Sequence, residues 1–324
     1  MASRKGSSGS ELSLPSCKRL GALLGTAFLA LLAACGGIQP SDLARTTSYT
    51  LARTQGRFVD VEGLRIFAIT QGAGRDIVLI HGNPASTYSW RKIITPLASR
   101  YRVHAIDLPG YGFSDKPADG AYTPEWMARY VIGYLDAVDA SRAVLVGNSM
   151  GGHVASEIAM LYPQRVAALV LIAAGGLPGS VGHPLAVRMA AWPVIGPVLR
   201  SLPARGRTRD GLRNAVYDPD TISDADVDAY YAPLRTAGGT TAFIARMQQR
   251  VPVERVARVR TITAPTLVIT GDSDRLVPPA IARQYHELIP GSELLVLEQT
   301  GHLPQEERPE QVVDAITRWV DVHP

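Results

Sequence analysis

Six short apolar segments alternate with segments of helical periodicity along most of this chain. The apolar segments are bounded by Gly, Pro or Asp and span residues 77–80, 101–106, 143–146, 168–172, 266–269 and 294–297. Apolar strands without polar alternation are typical of a sheet that is buried on both faces. Helical patterns between them, such as those at 124–139 and 150–161, imply crossover connections between parallel strands. The alternation therefore predicts an α/β fold with a doubly wound, mostly parallel sheet.

Two segments depart from this alternation. Residues 57–70 consist of two strand-like halves around a Glu62-Gly63 turn, a pattern that predicts a β-hairpin. Between Gly176 and about Thr261 the sequence has helical patterns and no good strand pattern. We expect this stretch to be a helical cap inserted into the α/β core. The predicted organisation of the body is a first core part at 57–176, the cap at 177–261 and a second core part at 262–324.

The pattern Gly-x-Ser-x-Gly occupies residues 147–151, where an apolar strand runs directly into a helical pattern. Glycines allow the chain to turn sharply there, so that the Ser149 hydroxyl stands at the head of the helix. The positive end of the helix dipole favours an oxyanion that forms beside this hydroxyl. The pattern predicts Ser149 as a nucleophile. The alternative is a glycine-rich turn in which the serine only caps the helix.

A serine hydroxyl becomes a good nucleophile when a histidine, oriented by a carboxylate, accepts its proton. Asp274 follows the strand pattern at 266–269, and His302 follows the one at 294–297. Both therefore lie at carboxyl ends of predicted strands, where sites form in such sheets. We predict Ser149, Asp274 and His302 as the catalytic residues, with Asp272 as the rival acid.

Stabilisation of an oxyanion requires two fixed hydrogen-bond donors. The backbone N–H of Met150, directly after the nucleophile, is one candidate. The other is the N–H of Asn83, in the loop after the strand at 77–80. We interpret His81 in the same loop as structural, and His153 on the predicted helix as a packing residue.

These motifs together resemble the α/β-hydrolase superfamily over roughly residues 57–322. The resemblance rests on His-Gly-Asn-Pro at 81–84, the Asp-Leu-Pro-Gly-Tyr-Gly segment at 107–112, the serine turn, and the chain order Ser149, Asp274, His302. It implies a hydrolase that needs neither a metal nor an organic cofactor. It also makes Gly82 and Trp90 candidate substrate-binding residues. Apolar and aromatic cap residues are further candidates for the pocket wall: Met189, Trp192, Tyr217, Tyr230, Tyr231 and Phe243.

The type of hydrolase is constrained by the nucleophile. The loop at 81–84 and Trp90 are similar to those of haloalkane dehalogenases and epoxide hydrolases, which use an aspartate where this chain has Ser149. Attack by serine on an alkyl carbon would give an inert ether, so serine requires an acyl carbon. Residues 147–152 and 174–178 are similar instead to hydrolases that cleave carbon–carbon bonds in ring-fission products, although the oxyanion loop is different.

The predicted substrate is therefore a small apolar ester or a related carbonyl compound, and the protein is predicted to be a carboxylic-ester hydrolase. A carbon–carbon bond hydrolase on the same catalytic residues stays as an alternative. A protein of this fold can also act as a ligand receptor with little turnover.

The N-terminal segment has the pattern of an export signal. Four basic residues precede or flank the start of an uncharged apolar run at 20–34, and Leu-Ala-Ala-Cys at 32–35 resembles the bacterial lipobox. The resemblance implies a lipoprotein signal peptide at 1–34, lipidation of Cys35, and a polar tether at 35–56. The protein would be exported and anchored to a membrane of the cell envelope, and Gly36 favours the outer membrane. An ordinary signal peptide or an uncleaved anchor is the alternative.

Charge and cysteine content narrow the function classes further. The net charge of +4 falls to +1 once residues 1–34 are removed, and the body has no basic runs, which argues against a nucleic-acid partner. The two cysteines are Cys17 and Cys35. The body therefore has no thiol nucleophile and no cysteine metal site.

Overall fold

The computed structural model describes residues 56–180 and 205–323. The predicted signal peptide, Cys35 and the tether up to residue 55 lie outside these residues. So do the cap residues 181–204, including Met189 and Trp192.

The sheet has eight strands in the order β1-β2-β4-β3-β5-β6-β7-β8. β1 and β2 form the antiparallel edge, and all pairs from β4–β3 onwards are parallel. The predicted α/β fold with a mostly parallel sheet is confirmed. The strands are β1 Gly56–Val61, β2 Leu64–Gln71, β3 Asp76–Ile80, β4 Arg102–Ile106, β5 Ala143–Asn148, β6 Val166–Ile172, β7 Thr266–Gly271 and β8 Glu293–Leu297.

The first two strands form the predicted hairpin. Glu62 and Gly63 make the two-residue turn with φ values of 53° and 81°. Both values lie in the left-handed region, which matches the twist of the flanking strands and is accessible to glycine without strain.

Ten α-helices are described, and they connect the strands or follow them. They are α1 Ile94–Ala98, α2 Pro124–Ala137, α3 Met150–Leu161, α4 Arg205–Ala215, α5 Asp224–Tyr231, α6 Gly239–Met247, α7 Arg255–Val259, α8 Pro279–Leu288, α9 Pro304–Glu307 and α10 Pro309–Val322. Short 3₁₀ segments lie at Thr87–Trp90, Pro163–Arg165, Pro219–Thr221 and Ala232–Arg235. None of the described helices is both long enough and apolar enough to cross a bilayer.

The sheet is buried on both faces, as its apolar strands predict. Val78 and Ile80 of β3 point into one core cluster, which includes side chains of α2, α3 and α8. Ile77 and Leu79 point into the other, which includes side chains of α1 and α10. Successive residues of a strand face opposite sides, so each central strand contributes to both cores.

The segment between β6 and β7 is helical where it is described. It contains α4, α5, α6 and α7. Leu212, Val227 and Tyr230 from this segment form a third apolar cluster with Ala85 and Leu303 of the core. These helices therefore pack over the loops at the carboxyl ends of the strands, where the predicted site lies.

Candidate active site

Ser149 stands at a strained turn between β5 and α3. Its φ and ψ are 54° and −114°, although it is not a glycine. A Cβ at Gly151 would overlap the carbonyl oxygen of Ile80, so the close approach of helix to strand requires glycine there. The Ser149 N–H donates to Ile172 O at 2.9 Å, and its carbonyl accepts from Gly175 N–H at 3.0 Å. Backbone strain that the surroundings hold in place is typical of functional sites.

The Ser149 side chain does not cap the helix that it precedes. It makes no capping hydrogen bond to the first turn of α3. The alternative was a serine that only caps the helix. The capping hydrogen bond of that alternative is absent, although the strained turn is present. The hydroxyl is left available for chemistry.

The structure brings Asp274 and His302 together. His302 Nδ1 donates to Asp274 Oδ2 at 2.8 Å, and both side chains are buried. Asp274 Oδ1 accepts from the N–H groups of Leu276 and Val277 at 2.8 and 2.9 Å. The carboxylate is thus fixed by three donors. In the neutral imidazole, a proton on Nδ1 leaves Nε2 as an acceptor, which is the form that a general base needs.

The rival acid, Asp272, lies in a different environment. Its side chain is exposed and accepts from Ser273 Oγ at 2.8 Å and from Thr300 N–H at 3.3 Å. It makes no contact with His302 that would orient the imidazole. The pairing therefore favours Asp274 over Asp272.

Asn148 connects the nucleophile turn to the histidine loop. Its Nδ2 donates to the carbonyl oxygens of Ile172 and His302, each at 3.2 Å. On the other side, His302 N–H donates to Ala215 O at 2.6 Å. The turn at Ser149 and the loop carrying His302 are therefore neighbours. Asn148 was not predicted from the sequence as a site residue. The pattern Gly-x-Ser-x-Gly accepts any residue at its two x positions, so it does not single out Asn148.

The loop after β3 lies directly against the nucleophile. A Cβ on Gly82 would be 3.1 Å from Ser149 Cβ. The N–H groups of Asn83 and Met150 donate to no described residue, and the buried Asn83 Oδ1 also has no partner among them. Two backbone donors beside a serine hydroxyl are what an oxyanion site requires.

His81 has a structural role in this loop. Its Nε2 accepts from Leu108 N–H at 3.1 Å, so its Nδ1 carries the proton that is donated to Gly82 O at 2.7 Å. Burial lowers the pKa of His81, which keeps the imidazole neutral. The ring thereby connects the loop after β3 to the loop after β4.

Trp90 is a core residue in the structure. Its side chain is fully buried in the cluster that contains Ile77, Leu79 and Val103. Its indole Nε1 has no hydrogen-bond partner among the described residues, and the contact of Trp90 with a substrate stays a prediction. The sequence similarity that suggested Trp90 as a substrate-binding residue is equally consistent with a packing role in the core. Gly82 lies next to Ser149, and its contact with a substrate also stays a prediction.

A small cavity lies between this loop and the cap helices. It measures about 10 Å³, and its wall consists of Pro84, Ala85, Gly110, Tyr111, Tyr230, Pro233, Leu234 and Gly239. Pro84 and Ala85 directly follow Asn83, so the cavity begins next to the candidate oxyanion donors. None of these wall residues carries a charged side chain. Tyr217, another predicted wall residue, is 40% exposed instead.

A buried charged network connects the cap to the histidine loop, and no sequence pattern predicted it. Arg91 donates to Asp226 Oδ1 of α5 at 2.7 Å and to Glu306 Oε2 of α9 at 2.5 Å. Tyr230 O–H also donates to Glu306. Burial raises the pKa of Glu306. We call these four residues the cap network.

No three His, Cys, Asp or Glu side chains within 56–180 and 205–323 are grouped as metal ligands would be.

The chain is similar in sequence and in structure to known hydrolases. The model of the α/β hydrolase fold family matches residues 77–309. The 2-hydroxy-6-oxo-6-(2'-aminophenyl)hexa-2,4-dienoic acid hydrolase of Metapseudomonas resinovorans is 31% identical over 80% of this chain and 88% of its own length. The pimeloyl-[acyl-carrier protein] methyl ester esterase of Aeromonas hydrophila is 30% identical over 77% of this chain and 96% of its own. Among solved structures, the meta-cleavage product hydrolase of Pseudomonas fluorescens IP01 aligns with a TM-score of 0.72 and 26% identity, over 83% of this chain and 98% of that one.

Proposed function

The chain belongs to the α/β hydrolase fold family and is a hydrolase, and we propose that it cleaves carboxylic esters through an acyl-enzyme on Ser149. The observation that carries the proposal is the strained Ser149 turn, whose uncapped hydroxyl adjoins the loop of the Asp274–His302 pair. The unused N–H groups of Asn83 and Met150 support it further.

The proposed cycle follows from these positions. His302 Nε2 accepts the Ser149 proton as the hydroxyl attacks the ester carbonyl, and the two N–H groups stabilise the oxyanion. His302 then protonates the leaving alcohol, and the acyl-enzyme remains. Water repeats the same steps and releases the carboxylic acid. Asp274 holds the imidazole in the tautomer that both halves require.

The loop after β3 supports an ester substrate. This loop, His-Gly-Asn-Pro at 81–84, differs from the oxyanion loop of the ring-fission hydrolases that residues 147–152 otherwise resemble. The Metapseudomonas relative is named as the hydrolase of a dienoic acid, and the Aeromonas relative as a methyl ester esterase. Because of the loop difference, we favour an ester over a carbon–carbon cleavage substrate.

Covalent labelling tests the nucleophile. A fluorophosphonate probe should label the wild-type protein and fail to label Ser149→Ala. Ser273→Ala, which removes an exposed hydroxyl near the rival acid, serves as the matched control and should be labelled like the wild type. Labelling that persists in Ser149→Ala would overturn the assignment.

A substrate panel tests the reaction class. We expect hydrolysis of p-nitrophenyl esters of graded acyl length, and little turnover of a vinylogous diketone acid. Turnover of the diketone acid alone would favour carbon–carbon cleavage on the same residues. Absence of both labelling and turnover would favour the receptor alternative.

We further propose that the protein is exported and anchored to the cell envelope through lipidated Cys35. The support is the basic segment, the apolar run at 20–34 and the Leu-Ala-Ala-Cys sequence before Gly36. In a bacterial host, radioactive palmitate should be incorporated into the wild type and Cys17→Ser but not into Cys35→Ser. Equal incorporation into Cys35→Ser would contradict the proposal.

A further inference from the structure

A second carboxylate, besides that of Asp274, binds the loop that carries His302. It belongs to Glu307, the last residue of α9. Gly301 N–H donates to both Glu307 oxygens at 3.0 Å, and Leu303 N–H donates to Oε1 at 3.2 Å. These two N–H groups belong to the residues directly before and after His302. The carboxylate therefore holds the backbone on both sides of the candidate base.

The same carboxylate also binds the cap. Tyr217 N–H, just beyond the end of α4, donates to Glu307 Oε2 at 2.7 Å. In the same segment, Ala215 O accepts from His302 N–H at 2.6 Å. We call residues 215–217 the cap edge. The N–H group of His302 is thus bound by the cap edge, and the N–H groups on either side of it are bound by Glu307.

The cap edge packs closely against the histidine loop. A Cβ on Gly301 would lie 2.4 Å from Ala215 O and 2.8 Å from Tyr217 N, so this approach requires glycine. Val216 and Leu303 are both buried in the third apolar cluster. The cap edge therefore cannot withdraw from the loop without breaking hydrogen bonds and apolar contacts together.

The two carboxylates near His302 have different tasks. Asp274 accepts from the imidazole Nδ1 and orients the ring. The three donors to Glu307 are backbone N–H groups, so this side chain acts on the path of the chain. Hydrogen bonds to an ionised acceptor are about twice as strong as those between neutral groups. A misplacement of about 1 Å at a reacting group can lower a rate about a hundredfold.

We propose that Glu307 is a positioning residue. It holds His302 where the imidazole accepts the Ser149 proton, and it makes that position depend on contact with the cap edge. This inference rests on the proposed ester hydrolysis, because it requires His302 as the general base.

Kinetics of Glu307 variants test the proposal. Glu307→Gln replaces one acceptor oxygen with a donor, so at least one of the three N–H groups faces another donor. We expect kcat for a p-nitrophenyl ester to fall about tenfold to a hundredfold. KM should stay nearly unchanged, because no substrate contact is removed. Glu307→Asp is too short to reach all three donors and should also lower kcat, which keeps the test valid if Glu307→Gln does not fold.

A matched control makes the same change outside the loop. Glu310→Gln alters an exposed glutamate in the first turn of α10 and should leave kcat and KM unchanged. Wild-type kcat in both Glu307 variants, or a rise in KM alone, would overturn the proposal.

A variant without the base separates positioning from a general structural role. In His302→Ala, the group that Glu307 positions is gone, so adding Glu307→Gln should lower the remaining kcat less than twofold. A further loss of about tenfold in this background would show that Glu307 acts independently of His302 and would overturn the proposal.

Hydrogen–deuterium exchange of the full-length protein gives a readout that does not need hydrolysis. In Glu307→Gln, the amides of residues 217, 301 and 303 should exchange about tenfold faster or more, and in Glu310→Gln they should exchange as in the wild type. Faster exchange together with an inactive wild type would overturn the proposed hydrolysis and support the role of Glu307 in holding the loop. Unchanged exchange at all three amides would overturn that role whatever the activity.

Discussion

Asn148 and Asp274 illustrate how single residues fix the geometry at the carboxyl ends of the strands. Asn148 holds the carbonyls of Ile172 and His302 with one amide group. Asp274 uses one oxygen for two backbone N–H groups and the other for His302. Each residue is therefore held in position by several hydrogen bonds, and the bond to Asp274 Oδ2 restricts rotation of the His302 imidazole.

The two aspartates after β7 give a matched pair for a residue-scale prediction. Asp274→Asn keeps the shape of the side chain but no longer fixes the proton on His302 Nδ1. We expect kcat for a p-nitrophenyl ester to fall by about ten-thousandfold, as it does in serine-protease triads that lose this carboxylate. Asp272→Asn removes an exposed carboxylate that accepts hydrogen bonds from Ser273 and Thr300 and from the backbone of Gln299, so kcat should change little. The pairing would be contradicted if Asp272→Asn proved the more damaging change.

Elements of the cap and the core are connected through buried charge as well as apolar contact. The cap network connects α5 with α9, which begins two residues after His302. Lys92 Nζ adds a bond to the Glu306 carbonyl at 2.6 Å. The cap helix and the histidine loop are therefore expected to move together.

Arg91→Met tests this connection. The change leaves Glu306 and Asp226, which are 8% and 14% exposed, without their shared cation. Removing one partner of a buried ion pair typically costs about 3 kcal/mol or more of unfolding free energy, and urea denaturation measures this loss. The exposed pair Arg129–Glu62 is the control, and Arg129→Met should have a small effect.

A double variant tests whether the lost stability comes from the unpaired charge of Glu306. Adding Glu306→Gln to Arg91→Met removes the unpaired buried charge and should recover part of the lost stability. If the double variant were as unstable as the sum of the two single variants, the network would not be coupled.

The strands could be predicted closely from the sequence, because continuous apolar runs ended by Gly, Pro or Asp leave little choice of structure. All six predicted strands agree with the structure to within two residues at each end, for example 143–146 against Ala143–Asn148. The cap network was beyond prediction, since Arg91 and Glu306 lie 215 residues apart. Neither residue belongs to a motif, and contact between them depends on how the cap helices pack.

At the scale of the whole molecule, parallel topology explains why the candidate site was predictable. Ser149, Asp274 and His302 follow β5, β7 and β8, whose carboxyl ends share one edge of the sheet. Placing each residue after a strand was sufficient to bring them near each other.

Buried histidines give the whole molecule a predicted sensitivity to mild acid. Burial lowers the pKa of His81, and it lowers that of His153 well below the ordinary value, with help from Arg255, Arg246 and Arg258. Both imidazoles are neutral in the folded protein, whereas the unfolded chain takes up protons near pH 6.5. The unfolded state therefore binds more protons as the pH falls below about 6.5, and the folded state loses stability until the lowered pKa values are reached.

Each such histidine contributes a slope of up to about 1.4 kcal/mol per pH unit in this window. His104, whose pKa is also lowered by burial, adds to the slope from His81 and His153. Unperturbed carboxylates titrate near pH 4 and act in a lower window. Glu306, whose pKa is raised by burial, takes up its proton first in the folded state and opposes the loss of stability as the pH falls.

Urea denaturation at pH 7.5, 6.5 and 5.5 should show a decreasing free energy of unfolding. His153→Gln cannot be protonated and should reduce the slope by the share of this histidine, up to about 1.4 kcal/mol per pH unit. A free energy of unfolding that stays constant from pH 7.5 to 5.5 would mean that these imidazoles are protonated in the folded protein, against the acceptor roles of His81 Nε2 and of His153 Nδ1, which accepts from Arg246 Nη2 at 3.1 Å.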